Sequence, residues 1–173
     1  MKRKIELREY AGEMIQALNA GALLTVKSGD KVNTMTIGWA TLGREWGKPI
    51  CTVYVRESRY TKQLLDENPE FVVSFPYGNY DKNILKVCGT VSGRDVDKIA
   101  QLGLTTCEPE VVSVPGIQQL PLTLECKVIY KQEQDIAALD QESLSYYPKT
   151  EQFPKGDIHT TYYGEIVAAY ILE

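Results

Sequence analysis

The sequence predicts a mainly β protein, a β-barrel of antiparallel strands with short helices. Segments rich in Val, Ile, Thr and aromatic residues recur along the chain, and several of them alternate between apolar and polar residues. The helical patterns between these segments are short. They also show no regular strand-helix-strand repeat, which a parallel sheet would require.

Length and composition predict one ordinary globular domain over residues 1–173. Hydrophobic residues make up 43% of the chain and charged residues 24%, which is typical of soluble domains. The formal net charge is -4 and the basic residues are dispersed, which argues against a nucleic-acid partner. An anionic ligand would therefore need a local positive pocket.

The cysteines and the amino terminus predict a cytoplasmic protein without a metal site. No C-x-x-C pair occurs and the chain has one histidine, so the soft ligands are too few for zinc. We expect the four cysteines to be small buried residues: Cys51, Cys88, Cys107 and Cys126. The first ten residues are basic with no apolar stretch behind them, so neither a secretory signal nor a membrane span is expected.

Six strands are predicted. Residues 22–41 contain two of them, joined at Ser28-Gly29-Asp30, which has the chemistry of a hairpin turn. The other four are expected over residues 49–55, 71–76, 120–134 and 162–172.

Two helices and one long loop are predicted between these strands. Residues 60–69 form a helical pattern that ends at Asn68-Pro69, and residues 94–103 form another that is closed by Gly103. Residues 135–156 contain two prolines and adjacent tyrosines, and we expect a loop with one helical turn.

The strand over residues 33–41, NTMTIGWAT, has one bulky face and one face of small residues. Alternation places Met35, Ile37 and Trp39 together, opposite Thr34, Thr36, Gly38 and Ala40. A face without bulk leaves the backbone approachable, which suits a flat ligand. Trp39 could form a wall of such a site, but its parity with Met35 favours the core.

Residues 55–65, VRESRYTKQLL, form a second candidate site, where a strand leads directly into a helix. The segment offers two forked cations, two hydroxyls and the unpaired amides of a helix start: Arg56, Arg59, Ser58 and Thr61. This combination predicts a phosphate site. The alternative is that Ser58 only caps the helix and the arginines are solvated. No glycine-rich nucleotide motif occurs in the chain.

Four stretches together resemble the FMN-binding split-barrel superfamily, in its flavin reductase-like and flavoredoxin group. Residues 33–39 are similar to the group's Asn-x-Met-Thr-x-x-Trp strand, and residues 56–61 to its arginine-to-threonine phosphate segment. Residues 92–98 resemble its Ser-Gly-Arg-x-x-Asp-Lys turn, and residues 156–167 its late His-x-x-x-x-Gly-Glu strand. The four stretches occur in the family's order.

The resemblance implies a six-stranded antiparallel Greek-key-like barrel, a homodimer, and FMN in a groove near the subunit interface. It implies no catalytic residue with certainty, because flavin reduction needs no protein acid for the hydride step. The flavin-binding residues that it implies are Asn33, Met35, Thr36, Ile37, Gly38, Trp39, Arg56, Ser58, Arg59, Tyr60, Thr61, Lys98 and His159.

Three of these residues have simpler interpretations from the local pattern. Asn33 is typical of a turn, Lys98 of a solvated helix start, and His159 of a strand end. The resemblance instead implies that Lys98 lies near the flavin, where a cation would stabilise the charge of the reduced ring, and that His159 flanks it. Arg94 is expected outside the site, paired with Asp95 or Asp97.

The function predicted from this resemblance is that of an FMN-dependent oxidoreductase. It would pass electrons from NADH or NADPH through FMN to a second acceptor, a small molecule or a protein. One alternative is a flavoredoxin-like electron carrier without significant NAD(P)H oxidation, and another is a flavin-free binding barrel. Residues between the last two strands are expected to influence the choice of acceptor.

Overall fold

The computed structural model describes residues 1–173. Its strands are β1 (Lys2–Lys4), β2 (Ala22–Ser28), β3 (Lys31–Ile37), β4 (Ala40–Glu45), β5 (Lys48–Arg56), β6 (Glu70–Phe75), β7 (Thr106–Cys107), β8 (Gly116–Ile117), β9 (Leu122–Glu133) and β10 (His159–Leu172). Its helices are α1 (Leu7–Ala17), α2 (Tyr60–Glu67), α3 (Lys82–Thr90), α4 (Lys98–Gln101) and α5 (Gln141–Leu144), with a 3₁₀ turn at Ile136–Ala138.

Eight strands form one antiparallel sheet in the order β3-β2-β6-β9-β10-β5-β4, with β1 also paired to β10. The predicted mainly β fold with short helices is therefore confirmed. The sheet has two strands more than the six that were expected. One is β1, and the other is β4, which the sequence pattern had joined to β3.

The predicted hairpin between β2 and β3 is confirmed. Gly29 has a φ of 55°, which a two-residue turn requires at its first central position. A second tight turn joins β4 to β5, where Trp46 and Gly47 both have positive φ values, 49° and 74°. Trp46 is exposed and packs edge to face with Tyr130 on the outside of the sheet.

The two ends of the sheet, β3 and β4, are joined in the chain by only Gly38 and Trp39 and are not paired with each other. The barrel is therefore open along a line between β3 and β4, which we call the seam. The predicted continuous strand over residues 33–41 is thus wrong, because the chain leaves one sheet edge at Ile37 and starts the opposite edge at Ala40.

The free edge of β3 offers backbone hydrogen-bonding groups. Ser28 and Lys31 flank a two-residue turn and form a hydrogen-bonded pair, so the groups of every second residue point to β2. The N–H and C=O groups of Val32, Thr34 and Thr36 therefore point away from β2. A ligand in the seam can reach the groups of Thr36 without disturbing the sheet.

The main core fills the barrel interior with twenty buried residues, which come from the inward faces of the strands except for Met14 on α1 and Leu64 and Leu65 on α2. Helix α1, which was not predicted, packs against β4 and adds Leu7, Tyr10 and Met14 to this core. None of the helices combines the length and the apolarity that a bilayer span needs.

Helix α3, which was also not predicted, covers the small-residue face of β3. Thr36 Oγ1 donates a hydrogen bond to the Leu85 carbonyl at 2.6 Å, and a Cβ at Gly89 would lie 3.4 Å from the Thr36 Cβ. This face is therefore partly covered by a helix rather than open along its whole length, and the binding of a flat ligand at Thr36 and Gly38 stays a prediction. Small side chains are needed there because a helix lies directly on the strand.

The remaining expectations for helices and cysteines hold in part. Residues 60–69 and the end at Gly103 are as predicted, although only Lys98–Gln101 of the second helical pattern is helical. Residues 135–156 form a loop with two short helical turns. All four cysteines are free, three are buried, and Cys107 is half-buried.

Glu125 on β9 is a fully buried carboxylate that organises the segment before β8. It accepts hydrogen bonds from the backbone amides of Glu110, Val111 and Val112 at 2.6, 2.7 and 3.1 Å, and from the Tyr170 hydroxyl at 2.7 Å. Four donors offset the desolvation of this charge, so the segment is fixed to the sheet.

We expect Glu125→Gln to lower the free energy of unfolding by about 1.5 to 3 kcal/mol, because an amide cannot accept from all four donors. Urea denaturation followed by circular dichroism measures the change. Glu133→Gln, on an exposed part of the same strand, is the control and should stay within about 0.5 kcal/mol of the parent. Equal stability of the two variants would contradict the assignment.

Candidate functional site

Two adjoining cavities lie along the seam and the start of α2. The seam cavity has a volume of about 170 Å³ and is lined by Met35, Thr36, Ile37, Gly38, Trp39, Tyr54, Arg56, Arg59 and His159. The helix cavity has a volume of about 280 Å³ and is lined by Asn33, Met35, Thr36, Ser58, Arg59, Tyr60, Thr61, Cys88, Gly89, Val91, Ser92, Gly93, Arg94 and Lys98. Met35, Thr36 and Arg59 belong to both linings.

All thirteen residues predicted to bind flavin line one of these two cavities. Residues from β3, α2, α4 and β10 thus meet, although they are distant in the sequence. Their contact with a flavin stays a prediction.

The amino terminus of α2 has the features of an anion site. Arg59 is the N-cap residue, and no side chain caps the helix. The amides of Tyr60 and Thr61 have no acceptor within the chain, and the Arg59 guanidinium makes no hydrogen bond or ion pair. Unpaired amides, the helix dipole and a free guanidinium all favour a bound anion here.

Asn33 connects three parts of the helix cavity. Its Nδ2 donates to Thr61 Oγ1 at 2.9 Å, so the Thr61 hydroxyl keeps its own proton free for a ligand. A Cβ added to Gly93 would lie only 2.0 Å from Asn33 Oδ1, so this position admits no side chain. The turn that begins at Ser92 therefore closes on Asn33 and forms one wall of the cavity.

Two further cations surround the helix cavity. Lys98 is buried and donates to the Val91 carbonyl at 3.1 Å, and burial lowers its pKa, as does the nearby charge of Arg59. Arg94 donates to the Ser58 carbonyl at 3.0 Å and stacks over the Tyr60 ring. The expected pairing of Arg94 with Asp95 or Asp97 is wrong, because Arg94 donates to a carbonyl across the cavity, which it also lines.

The side chains of Arg56 and Ser58 make hydrogen bonds within the chain. Arg56 donates to the carbonyls of Asp157 and Tyr146 at 2.8 and 3.1 Å. The amide and hydroxyl of Ser58 both donate to the Asp157 carboxylate, at 3.0 and 2.6 Å. The alternative in which Ser58 caps α2 is therefore wrong, and of the predicted phosphate ligands Arg59 and Thr61 have the free donors.

These bonds hold residues 134–158, which we call the strap, beside the mouth of the seam cavity. The ring of Tyr146 packs edge to face with Trp39, with 5.4 Å between centroids. A cleft of about 720 Å³ lies between the strap and the pair Arg56 and Arg59. The strap therefore forms the outer wall of the space next to the seam.

Trp39 is 44% exposed and lies in the seam between Tyr146 and His159. The core position that parity favoured is wrong, because the alternation of β3 stops at Ile37. Tyr54 also lines the seam cavity and was not predicted. Tyr54 could have been predicted from the sequence, since it precedes Arg56 by two residues and therefore lies on the same face of the strand.

His159 is 7% exposed and is surrounded by aromatic rings. The centroids of Trp39, Tyr147 and Tyr54 lie 5.2, 5.5 and 6.4 Å from its own. Burial is the main cause that lowers its pKa to about 4; the charge of Arg56 acts in the same direction, and Asp157 partly opposes the shift. The imidazole is therefore neutral at pH 7.

We expect His159 to titrate near pH 4 in an NMR titration, which is unambiguous because the chain has one histidine. Unfolded histidine titrates near 6.5, so the folded state loses stability as the pH falls from about 6.5 to about 4. Arg56→Gln should raise the pKa by removing a nearby positive charge. A midpoint near 6.5 in the parent protein would contradict this environment.

Comparisons with known proteins agree with this fold. A family model described as "Flavin reductase like domain" matches residues 19–173. The crystal structure of flavoredoxin from Methanosarcina acetivorans has a TM-score of 0.67 and 29% identity, over 88% of this chain and 68% of that chain. An FMN-binding domain of a flavin reductases-like enzyme from Shewanella baltica has a TM-score of 0.65 and 15% identity, over 99% and 78%, and shows the fold alone.

An uncharacterized protein of Archaeoglobus fulgidus is 36% identical over 110 residues, which cover 64% of this chain and 61% of that protein. The chain therefore spans about three fifths of the length of the curated relatives that it matches. Because the family match extends over nearly the whole sequence and includes both cavities, the chain belongs to the flavin reductase like domain family.

Proposed function

We propose that this protein is an FMN-binding oxidoreductase that passes electrons from NADH or NADPH, by way of bound FMN, to a second acceptor. The observation that carries the proposal is the junction of the two cavities at Arg59. One cavity is positively charged and rich in hydrogen-bond donors, and the other is walled by aromatic and apolar groups. FMN has the same division, with a phosphate at one end and a flat ring system at the other.

The phosphate end fits the start of α2. Arg59 supplies an unpaired guanidinium group. The backbone amides of Tyr60 and Thr61 and the hydroxyl of Thr61 supply further hydrogen-bond donors. Lys98 and Arg94 add positive charge at the other side of the cavity. Such charge-assisted contacts are the usual means of binding a phosphate where no glycine-rich loop is present.

The ring end fits the seam. Thr36 and Gly38 line the seam cavity at the free edge of β3, where backbone groups can bond to the polar edge of a flat ring. Trp39 and His159 line this space, and the strap lies beside it. When bound, the flavin supplies the hydride and electron chemistry, and the residues of this chain bind, orient and shield it.

A flavoredoxin-like electron carrier is the second candidate. The similarity to the Methanosarcina acetivorans flavoredoxin, at 29% identity, favours it. A carrier would exchange electrons with a protein partner and would leave nicotinamide cofactors unchanged. A flavin-free barrel is a weaker alternative, because it would have no use for an uncapped helix beside a free guanidinium.

The proposal includes a cytoplasmic homodimer whose acceptor is a small molecule or a protein, without nucleic acid or membrane partners. The aromatic cluster of Trp46, Tyr130 and Tyr163 on the outer face of the sheet supports a second copy, because such clusters are often covered in assemblies. Analytical ultracentrifugation that gives the mass of a monomer would count against the homodimer.

The purified protein should be yellow, or become so with FMN, and should show the absorption of bound flavin. Anaerobic NADH or NADPH should bleach that absorption. Bound flavin that neither nucleotide bleaches would support the carrier instead. A protein that takes up no flavin would overturn both candidates.

Arg59→Ala and Thr61→Ala should each weaken FMN binding by about 1 to 3 kcal/mol, because each removes a donor to the phosphate. Riboflavin has no phosphate, so its affinity should not change. Fluorescence titration measures both ligands. Arg8→Ala, an exposed arginine on α1, is the control and should bind FMN as the parent does. An equal loss for riboflavin would show that the variants act on folding rather than on the phosphate.

A further inference from the structure

The strap contains one buried side chain that contacts the seam cavity through His159. The Tyr147 hydroxyl lies 2.7 Å from His159 Nδ1, and both residues are more than nine-tenths buried. This is the only hydrogen bond that the imidazole ring makes within the chain. The other ring nitrogen, Nε2, has no protein partner and is not sealed from solvent.

Tyr147 is held in place from several sides. Its amide donates to the Leu144 carbonyl at 3.0 Å, and the Arg56 guanidinium lies over its ring, 5.1 Å from the centroid. Gly156 has a φ of 93°, and a Cβ there would lie 2.8 Å from the Tyr147 carbonyl oxygen. The strap therefore closes on Tyr147 and fixes where its hydroxyl points.

The direction of the Tyr147–His159 hydrogen bond follows from the chemistry of the two groups. A phenol is a better donor than a neutral imidazole N–H, and an unprotonated imidazole nitrogen is a better acceptor than a phenol oxygen. Nδ1 therefore accepts from Tyr147, and the ring proton is on Nε2. The seam cavity then contains a neutral donor at its aromatic wall.

We infer that Tyr147 is a positioning residue, which holds His159 with its proton on Nε2 so that this N–H donates to a carbonyl oxygen of a planar second ligand. The geometry of the wall supports a planar ligand, because Trp39 and Tyr54 flank the same imidazole. A neutral donor suits an uncharged carbonyl, whereas a carboxylate would bond more strongly to a cation. The inference rests on the proposed oxidoreductase function for the existence of that ligand.

Two kinds of second ligand carry such a carbonyl. One is the carboxamide of the nicotinamide donor, and the other is a ring carbonyl of a quinone-like acceptor. The common chemistry is a flat ring with an exposed carbonyl oxygen. Steady-state kinetics in which each substrate is varied in turn distinguishes them, since only the bonded one should show a changed KM.

The position of the proton can be measured without any activity. In ¹⁵N-edited NMR the single histidine gives one pair of ring nitrogens, and we expect Nε2 protonated and Nδ1 unprotonated but hydrogen-bonded. Tyr147→Phe removes one oxygen and should move the Nδ1 shift to that of an unbonded nitrogen. Tyr146→Phe, whose hydroxyl makes no hydrogen bond, should leave the His159 spectrum unchanged. A proton on Nδ1 in the parent would overturn the inference.

Kinetics tests the ligand side of the inference. His159→Ala should raise the KM of one of the two substrates about three- to tenfold, the loss of one neutral hydrogen bond, with little change in kcat. His159→Gln keeps an N–H near the Nε2 position and should restore much of this loss. Tyr147→Phe should raise the KM of the same substrate by a smaller factor, and Tyr130→Phe, on the outer face, should leave it unchanged.

The outcomes separate this inference from the proposed function. If the variants bind flavin as the parent does and KM stays constant for both substrates, the inferred role of Tyr147 is wrong, and the proposed oxidoreductase function is not affected. If the protein binds no flavin, the function fails, and the NMR result still decides the Tyr147–His159 arrangement. The melting temperature of each variant shows whether it is folded.

Discussion

The constraint on which the rest of the structure depends is the two-residue connection between β3 and β4. Neither Gly38 nor Trp39 has the positive φ that a two-residue hairpin turn requires, so the chain does not fold back at this point, β4 pairs with β5 instead, and the two sheet edges stay apart. The backbone groups at the β3 edge are therefore left without a strand partner. Helix α1 fills the interior at this opening, and the two cavities occupy the remaining space.

A second consequence concerns charge. The carboxylate of Asp157 satisfies Ser58 and its carbonyl satisfies Arg56, so the strap takes up donors at the start of α2 that would otherwise compete for an anion. Arg59 is left as the unpaired cation between the two cavities. Its charge also helps to keep His159 neutral and to lower the pKa of Lys98. Burial is the larger cause of both pKa shifts, and this one arginine contributes to them at both ends of the site.

The elements that were predicted correctly from the sequence are those that local sequence patterns determine. The hairpin at Gly29, helix α2 and the long strands β9 and β10 follow from turn chemistry and alternation, and the family motifs brought together residues that line the two cavities. Helix α3 was missed although Asp81 caps it and Ile84, Leu85 and Cys88 form its buried face, because the pattern is short and has a glycine in its last turn. The contacts of the strap could not be predicted, since Ser58 and Asp157 lie 99 residues apart.

Asn33 has an implication for how the binding site comes into being. Its carboxamide touches Thr61 and Gly93, so closing the helix cavity requires chain loops of 28 residues and more to be shut at the same time. Such closures are entropically costly and none of them is local. A partly structured chain would therefore lack this compartment, and ligand uptake would report completion of the whole barrel rather than the formation of any one hairpin.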